Sequence, residues 1–137
     1  MRHRHIVDAM VKAVDARDYG AIEDLLSPDC AFTAPGIRST GPATVIAFMR
    51  PFLDAFPDLS HDVETYVEDD DRFAVELHIR GTHTAALALP QGNVPATGRT
   101  VDFRSCDMVT VADGRFVTYH VYFDQMEFMG QLGLLPS

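Results

Sequence analysis

The stretch RTVDFRSCDMVTVADGRFVTYHVYFD, residues 99–124, decides the fold. It is rich in Val, Thr, Phe and Tyr, and Asp113-Gly114 lies between two such runs, so it reads as long strands over Arg99–Ala112 and Arg115–Asp124 joined by a tight hairpin turn. Two further strands are expected upstream, over Ser60–Glu68 and Arg72–Thr84, with the acidic run Glu68-Asp69-Asp70-Asp71 as a solvated turn between them. Residues 89–98 carry Pro90, Gly92, Pro95 and Gly98, too many breaks for regular structure, and read as a long loop of the kind that covers a site.

The N-terminal half has a different period. Ile6, Met10, Ala13 and Val14 recur at helical spacing, Asp18 is placed to cap a second, shorter helix carrying Ile22, Leu25 and Leu26, and Ser27-Pro28-Asp29 stops it. A short strand over Cys30–Thr33 enters a Pro35-Gly36 turn. After Gly41-Pro42, the residues Val45, Phe48, Met49, Phe52, Leu53 and Phe56 mark one face of a third helix, and a last short helix is expected around Gln125–Leu132. Helices followed by a strand meander predict an α+β fold, a cone-shaped α+β barrel with N-terminal helices packed on a strongly curved antiparallel sheet around an apolar pocket. The whole chain, 1–137, reads as one domain.

Composition narrows the partners. A net charge of −9 repels phosphate backbones and anionic bilayers, so neither nucleic acid nor a membrane is expected as a partner. No apolar run approaches the ~20 residues of a membrane span, and the basic start is not followed by a signal-peptide core, which gives a cytoplasmic reading. Cys30 and Cys106 are far apart and lack metal-ligand spacing, and nucleotide-binding or metalloprotease motifs are missing; no cofactor and no metal are expected.

Alternation in the last strand sorts Phe116, Thr118, His120, Tyr122 and Asp124 onto one face and Val117, Tyr119, Val121 and Phe123 onto the other. Either the polar face meets water, or it lines the pocket and the apolar face is covered by neighbouring elements or by a second subunit. The second reading leads to an expected homodimer or homotetramer. In the preceding strand Phe103, Ser105, Asp107, Val109 and Val111 share a face, so Asp107 is a lone acid on an apolar surface. There its pKa would rise into the range useful for proton transfer, unless Arg104 or Arg80 pairs with it. His83, in the run His78-Ile79-Arg80-Gly81-Thr82-His83-Thr84, is a proton shuttle or a hydrogen-bonded structural group.

Taken in order, Phe56-Pro57-Asp58-Leu59, Gly81-Thr82-His83-Thr84, Gly98-Arg99-Thr100-Val101, Asp113-Gly114-Arg115-Phe116, His120-Val121-Tyr122-Phe123-Asp124-Gln125 and Gln131-Leu132-Gly133-Leu134 resemble the SnoaL-like polyketide cyclases. That family shares its fold with nuclear transport factor two, ketosteroid isomerase and scytalone dehydratase, and its relatives include hydroxylases, epoxide hydrolases and isomerases. The resemblance implies that Asp124 matches the cyclases' general acid/base. Their companion histidine on the preceding strand falls among Asp107, Met108 and Thr110 here, and His83 or His120 could take its place. The function this implies is a cofactor-independent cyclase closing a ring in a hydrophobic, polyketide-like substrate by intramolecular aldol chemistry. Asp124, His120, His83 and Asp107 are the catalytic candidates, and Tyr122, Arg80, Phe48, Phe52 and Phe103 the substrate-binding ones. An Asp107, Arg80 and Asp124 cluster around a water would instead favour an epoxide hydrolase, and a cone packed shut would favour a non-catalytic binding or dimerisation module.

Overall fold

The computed structural model describes residues 2–136. Helix α1 (Arg4–Asp15) buries Ile6, Val7, Met10, Ala13 and Val14, the stripe that its sequence period marks. Asp18 caps α2 (Tyr19–Asp24) by accepting the Ala21 N–H. Strands β1 (Leu26–Ala34) and β2 (Ile37–Thr40) form a hairpin, and α3 (Pro42–Ala55) follows with Pro42 in its first turn. Then come β3 (Ser60–Asp69), β4 (Arg72–Thr82), the short ribbon β5 (Leu87–Leu89) and β6 (Gly92–Val94), β7 (Thr100–Ala112), β8 (Arg115–Phe123) and α4 (Gln125–Gln131). Asp113 at φ 53° and Gly114 at φ 72° make the β7–β8 turn with two left-handed residues, as the Asp-Gly pair requires.

The main sheet has six strands in the order β2-β1-β8-β7-β4-β3. It is curved, and α1 and α3 pack on its concave side, which makes the α+β cone expected from the sequence. It is not purely antiparallel, because β1 runs parallel to β8. That pairing is possible because the helices and strands between β1 and β8 supply a crossover long enough to bring the chain back in the same direction. Strand β1 also starts at Leu26, earlier than the Ser27-Pro28-Asp29 break suggests, and its register with β8 shifts between Leu26 and Ala31, which absorbs Pro28 in an irregular stretch. The loop expected over residues 89–98 contains β6, which closes a two-stranded ribbon with β5 around the Pro90-Gln91 turn.

A second irregularity changes the meaning of β8. Thr110 faces Thr118, but Val111 faces Phe116, so Val117 is an extra residue in the β8 edge of this ladder. Phe116 and Tyr119 are both buried on the concave side, and Val121 and Phe123 continue that row. The strict alternation read from the sequence, with Phe116 grouped with Thr118 and His120, is therefore broken at Val117. The stripe Tyr119, Val121 and Phe123 is covered by the helices of the same chain and needs no second subunit, so it gives no argument for a dimer.

The β3–α1 corner is fastened by backbone acceptors. The Arg17 guanidinium donates to the carbonyl oxygens of Asp15 and Phe56 at 2.7 Å and of Leu59 at 3.3 Å, which joins the end of α1 to the loop after α3. Leu59 in turn lies under Gly81 of β4. No helix among the described residues is long and apolar enough to cross a membrane. A Cβ at Gly81 would sit 2.9 Å from Leu59 Cδ1 and 3.2 Å from Leu59 Cα, and the Cα cannot swing aside as a side-chain tip can. Gly81→Ala is expected to lower stability by about 1–3 kcal/mol. Urea denaturation checks this, and an unchanged midpoint would show that the Leu59 backbone yields freely.

Candidate active site

Between the concave face and the helices lies a cavity of about 120 Å³. Its walls are almost entirely hydrocarbon and aromatic. Val7, Met10, Val11 and Val14 come from α1, Phe48, Met49 and Phe52 from α3, and Phe103 from β7. Tilted and edge-on aromatic pairs, Phe32–Phe48, Phe48–Phe52, Phe52–Phe128 and Phe103–Phe128, with centroids 5.4–5.6 Å apart, run along one side. Phe48, Phe52 and Phe103, expected to hold substrate, are thus wall residues, and they do not fill the space.

Asp107 is the one carboxylate in the lining. It sits in the middle of β7, opposite Val75 of β4 on one side and Val121 of β8 on the other, with Val109 and Ser105 two residues away on the same face. It is 5% exposed, and its Oδ1 is buried with no hydrogen-bond partner. The arginines that could have neutralised it are turned outward: Arg104 holds Glu64 in a two-point contact at 2.7 and 3.1 Å, and Arg80 holds Asp62 at 2.8 Å. Burial without a cation pushes the Asp107 carboxyl up to about 7. Tyr119 lines the cavity nearby, and burial, then the Asp107 charge, push its phenol well above its ordinary value, so it stays a neutral donor. Ser105 is the third polar group of this cluster.

The other residues singled out from the sequence are elsewhere. Asp124 lies outside the cavity lining and does not point into it, contrary to expectation. Its Oδ1 accepts the N–H groups of Met126 at 2.9 Å and Glu127 at 3.1 Å, the N-cap of α4. His120 is on the convex side, its Nδ1 bonded to the Thr33 hydroxyl across the β1–β8 pair, and Tyr122 beside it is 57% exposed. The polar face of β8 therefore does not line the cavity. His83 is fully buried away from it, stacked on Phe56 at 5.1 Å, with Nδ1 taking the Thr97 N–H and facing the Thr97 hydroxyl. Burial lowers its pKa, which suits a neutral ring that ties residues 97–99 to the end of β4. The Asp107, Arg80 and Asp124 cluster does not form. Among the described residues no group of three His, Cys, Asp or Glu side chains could hold a metal ion.

Sequence reasoning marked Ser105 and Asp107 by their shared face and, in the reading that makes the apolar face of β8 core, put Tyr119 inside without naming it as a site residue; the bulge at Val117 brings Phe116 to the same side. It missed His61, whose place in the lining depends on its partner Asp15, 46 residues away.

Asp107 makes stability depend on pH with a defined sign. Its folded pKa, about 7, lies above the ordinary 3.8, so between these values the unfolded chain releases a proton that the folded chain keeps. Stability is then expected to fall as pH rises from about 4 to about 7, by at most about 4 kcal/mol at about 1.4 kcal/mol per pK unit. Asp107→Asn should flatten this slope, and urea denaturation at pH 5 and pH 8 compares the two proteins. At the cap of α4, Asp124→Asn should be nearly neutral and Asp124→Ala should lose about 1 kcal/mol. Equal thermal stability of the Ala variant and the wild type would show that the cap carries no energy.

Comparison with known proteins fits this architecture. AclR from Streptomyces galilaeus, described as a candidate hydroxylase, superposes with a TM-score of 0.84 at 25% identity, covering 98% of each chain. IdmH from Streptomyces antibioticus, described as a candidate polyketide cyclase, gives 0.80 at 23% identity over 97% of this chain and 99% of its own. An epoxide hydrolase of M. tuberculosis gives 0.69 at 19% identity, over 94% and 88%. No curated protein matches the chain in sequence at significance. The family model of the SnoaL-like polyketide cyclases matches residues 4–132, nearly the full length, and the chain belongs to that family.

Proposed function

We propose that the cavity is an active site in which Asp107 transfers a proton to and from an activated carbon of a hydrophobic substrate, without a cofactor. The observation that carries this reading is the buried Asp107 Oδ1, which has no partner and faces an apolar space. A carboxylate that is poorly solvated and balanced near pH 7 is a stronger base than one in water and can return the proton at the same pH. Tyr119 is the hydrogen-bond donor for the oxygen on which charge develops, and Ser105 is a second. The apolar walls hold the rest of the substrate in a folded, near-attack arrangement.

Ring closure by intramolecular aldol chemistry is the reaction that combines these parts with family membership. Asp107 removes a proton beside a carbonyl, the resulting enolate attacks a second carbonyl of the same molecule, and the protonated Asp107 returns that proton to the alkoxide. Epoxide opening would need a positioned water and a charge partner for the acid, and Arg80 and Asp124, the residues expected to provide them, are engaged elsewhere. The cavity's free space also weighs against a purely packed dimerisation module.

A carbon-acid probe tests the base directly. 5-Nitrobenzisoxazole opens when a base removes its ring proton, and the protein is expected to accelerate this with a rate that rises through about pH 7, the titration of Asp107. Asp107→Asn should lower the rate by roughly 10²–10⁴-fold. A variant rate within a few-fold of wild type would remove Asp107 from the mechanism.

A further inference from the structure

Apart from Ser105, Asp107 and Tyr119, the only polar side chain in the cavity wall is His61, at the start of β3. Its Nδ1 is 2.7 Å from Asp15 Oδ1 at the end of α1, and its main-chain N–H points to the other carboxylate oxygen at 3.5 Å. A carboxylate accepts only, so Nδ1 carries the hydrogen, and with the ring neutral Nε2 is then an acceptor left for something else. The side chain is 14% exposed and its mount is rigid, because Arg17 fixes the carbonyl oxygens of Asp15, Phe56 and Leu59 around it.

His61 and Asp107 are not neighbours. His61 faces Ile79, Ile79 faces Phe103, and Asp107 lies four residues further along β7. Measured on the sheet, that is about 14 Å along the strands and about 10 Å across them, before curvature brings the concave side chains closer. The cavity thus has a polar cluster at Asp107 and a separate acceptor at His61, with hydrocarbon between. Its volume of about 120 Å³ is close to that of an apolar cavity of about 150 Å³ that takes one benzene ring.

We infer that the Asp15–His61 pair is a second binding pole, which accepts a hydrogen bond from a hydroxyl at the end of the substrate away from the reacting carbon. The substrate class is then a slender molecule long enough to run from His61 towards Asp107, with an alcohol, phenol or enol hydroxyl at one end and the carbon acid at the other. This rests on the reading of the cavity as a ligand site. Asp15 acts here as a positioning residue that holds the ring so that Nε2 faces the ligand.

The test is a double comparison with two probes of equal shape, 4-ethylphenol and 4-ethyltoluene, titrated calorimetrically into wild type and His61→Leu. Loss of packing weakens both probes alike, so the ratio of their dissociation constants isolates the hydroxyl. The ratio is expected to shift by about tenfold against the phenol in the variant, the worth of one well-made hydrogen bond. An unchanged ratio overturns the inference, with the hydroxyl then held at Asp107 or Tyr119 and the cavity reading intact. If wild type binds neither probe, the cavity reading itself falls, and the inference with it. Should His61→Leu fail to fold, Asp15→Ala, which keeps the ring but frees it, should shift the ratio in the same direction by at least about threefold. A ratio that stays at the wild-type value there overturns the positioning role. A pair that only fastened α1 to β3 would change the melting temperature and leave both ratios alone.

Discussion

The concave face of the curved six-stranded sheet has to be covered by helices, and this constraint organises the rest of the chain. A helix is straight and a curved sheet is not, so α1 and α3 meet the sheet at its margins and cannot reach its centre. Large side chains close part of the gap: Phe48 and Phe52 from α3, Phe128 from α4 and Phe103 from β7 meet in edge-on and tilted contacts. What remains is a cavity, bounded by residues that are mostly buried and apolar. The cavity is therefore a consequence of curvature and is present before any ligand is considered.

Within that frame, electrostatics separates the two faces of the sheet. On the convex side, charges are paired across strands. His78 lies between Glu64 and Asp102, and Arg104 holds Glu64 while Arg80 holds Asp62. These pairs are exposed and screened, so each contributes little to stability. Alternation along β4 and β7 puts Arg80 and Arg104 on this convex face, and Asp107 is left as an unpaired carboxyl on the concave side. A guanidinium beside it would hold the carboxyl ionised and weakly basic; burial, with no such cation near, brings its pKa to about 7.

Much of this was legible in the sequence. The helical stripe of α3 and the Asp113-Gly114 turn follow from local periodicity and turn chemistry, and Asp107 could be placed on an apolar face because β7 alternates without interruption from Phe103 to Val109. For β8, alternation leaves two readings open, and the one that turns the polar face to water holds from Thr118 to Phe123; only Phe116 is misplaced, because Val117 is a bulge. The family resemblance singles out Asp124, and the reading that turns the polar face inward singles out His120 and Tyr122. Strand β2 is only four residues of mixed polarity, and its strand character comes from pairing with β1. His61 depends on a contact between elements that sequence spacing does not encode.

The same bulge bears on how such a scaffold comes to carry chemistry. On the convex side of β8, His120 already has Thr33 as a partner, and Asp124 at the strand's end is occupied with α4. Both are tied to neighbouring elements and lie outside the concave cavity, whereas Asp107 Oδ1 adjoins it and has no partner. An unsatisfied buried carboxyl lowers stability, and this one adjoins the cavity and the Tyr119 phenol, where the proposed proton transfer would use it. Reactivity in this fold is thus better located by asking which polar atoms lack partners next to free space than by asking which residue types are present. By that measure the proposed chemistry is placed on β7 at Asp107, whereas Asp124 at the end of β8 caps α4.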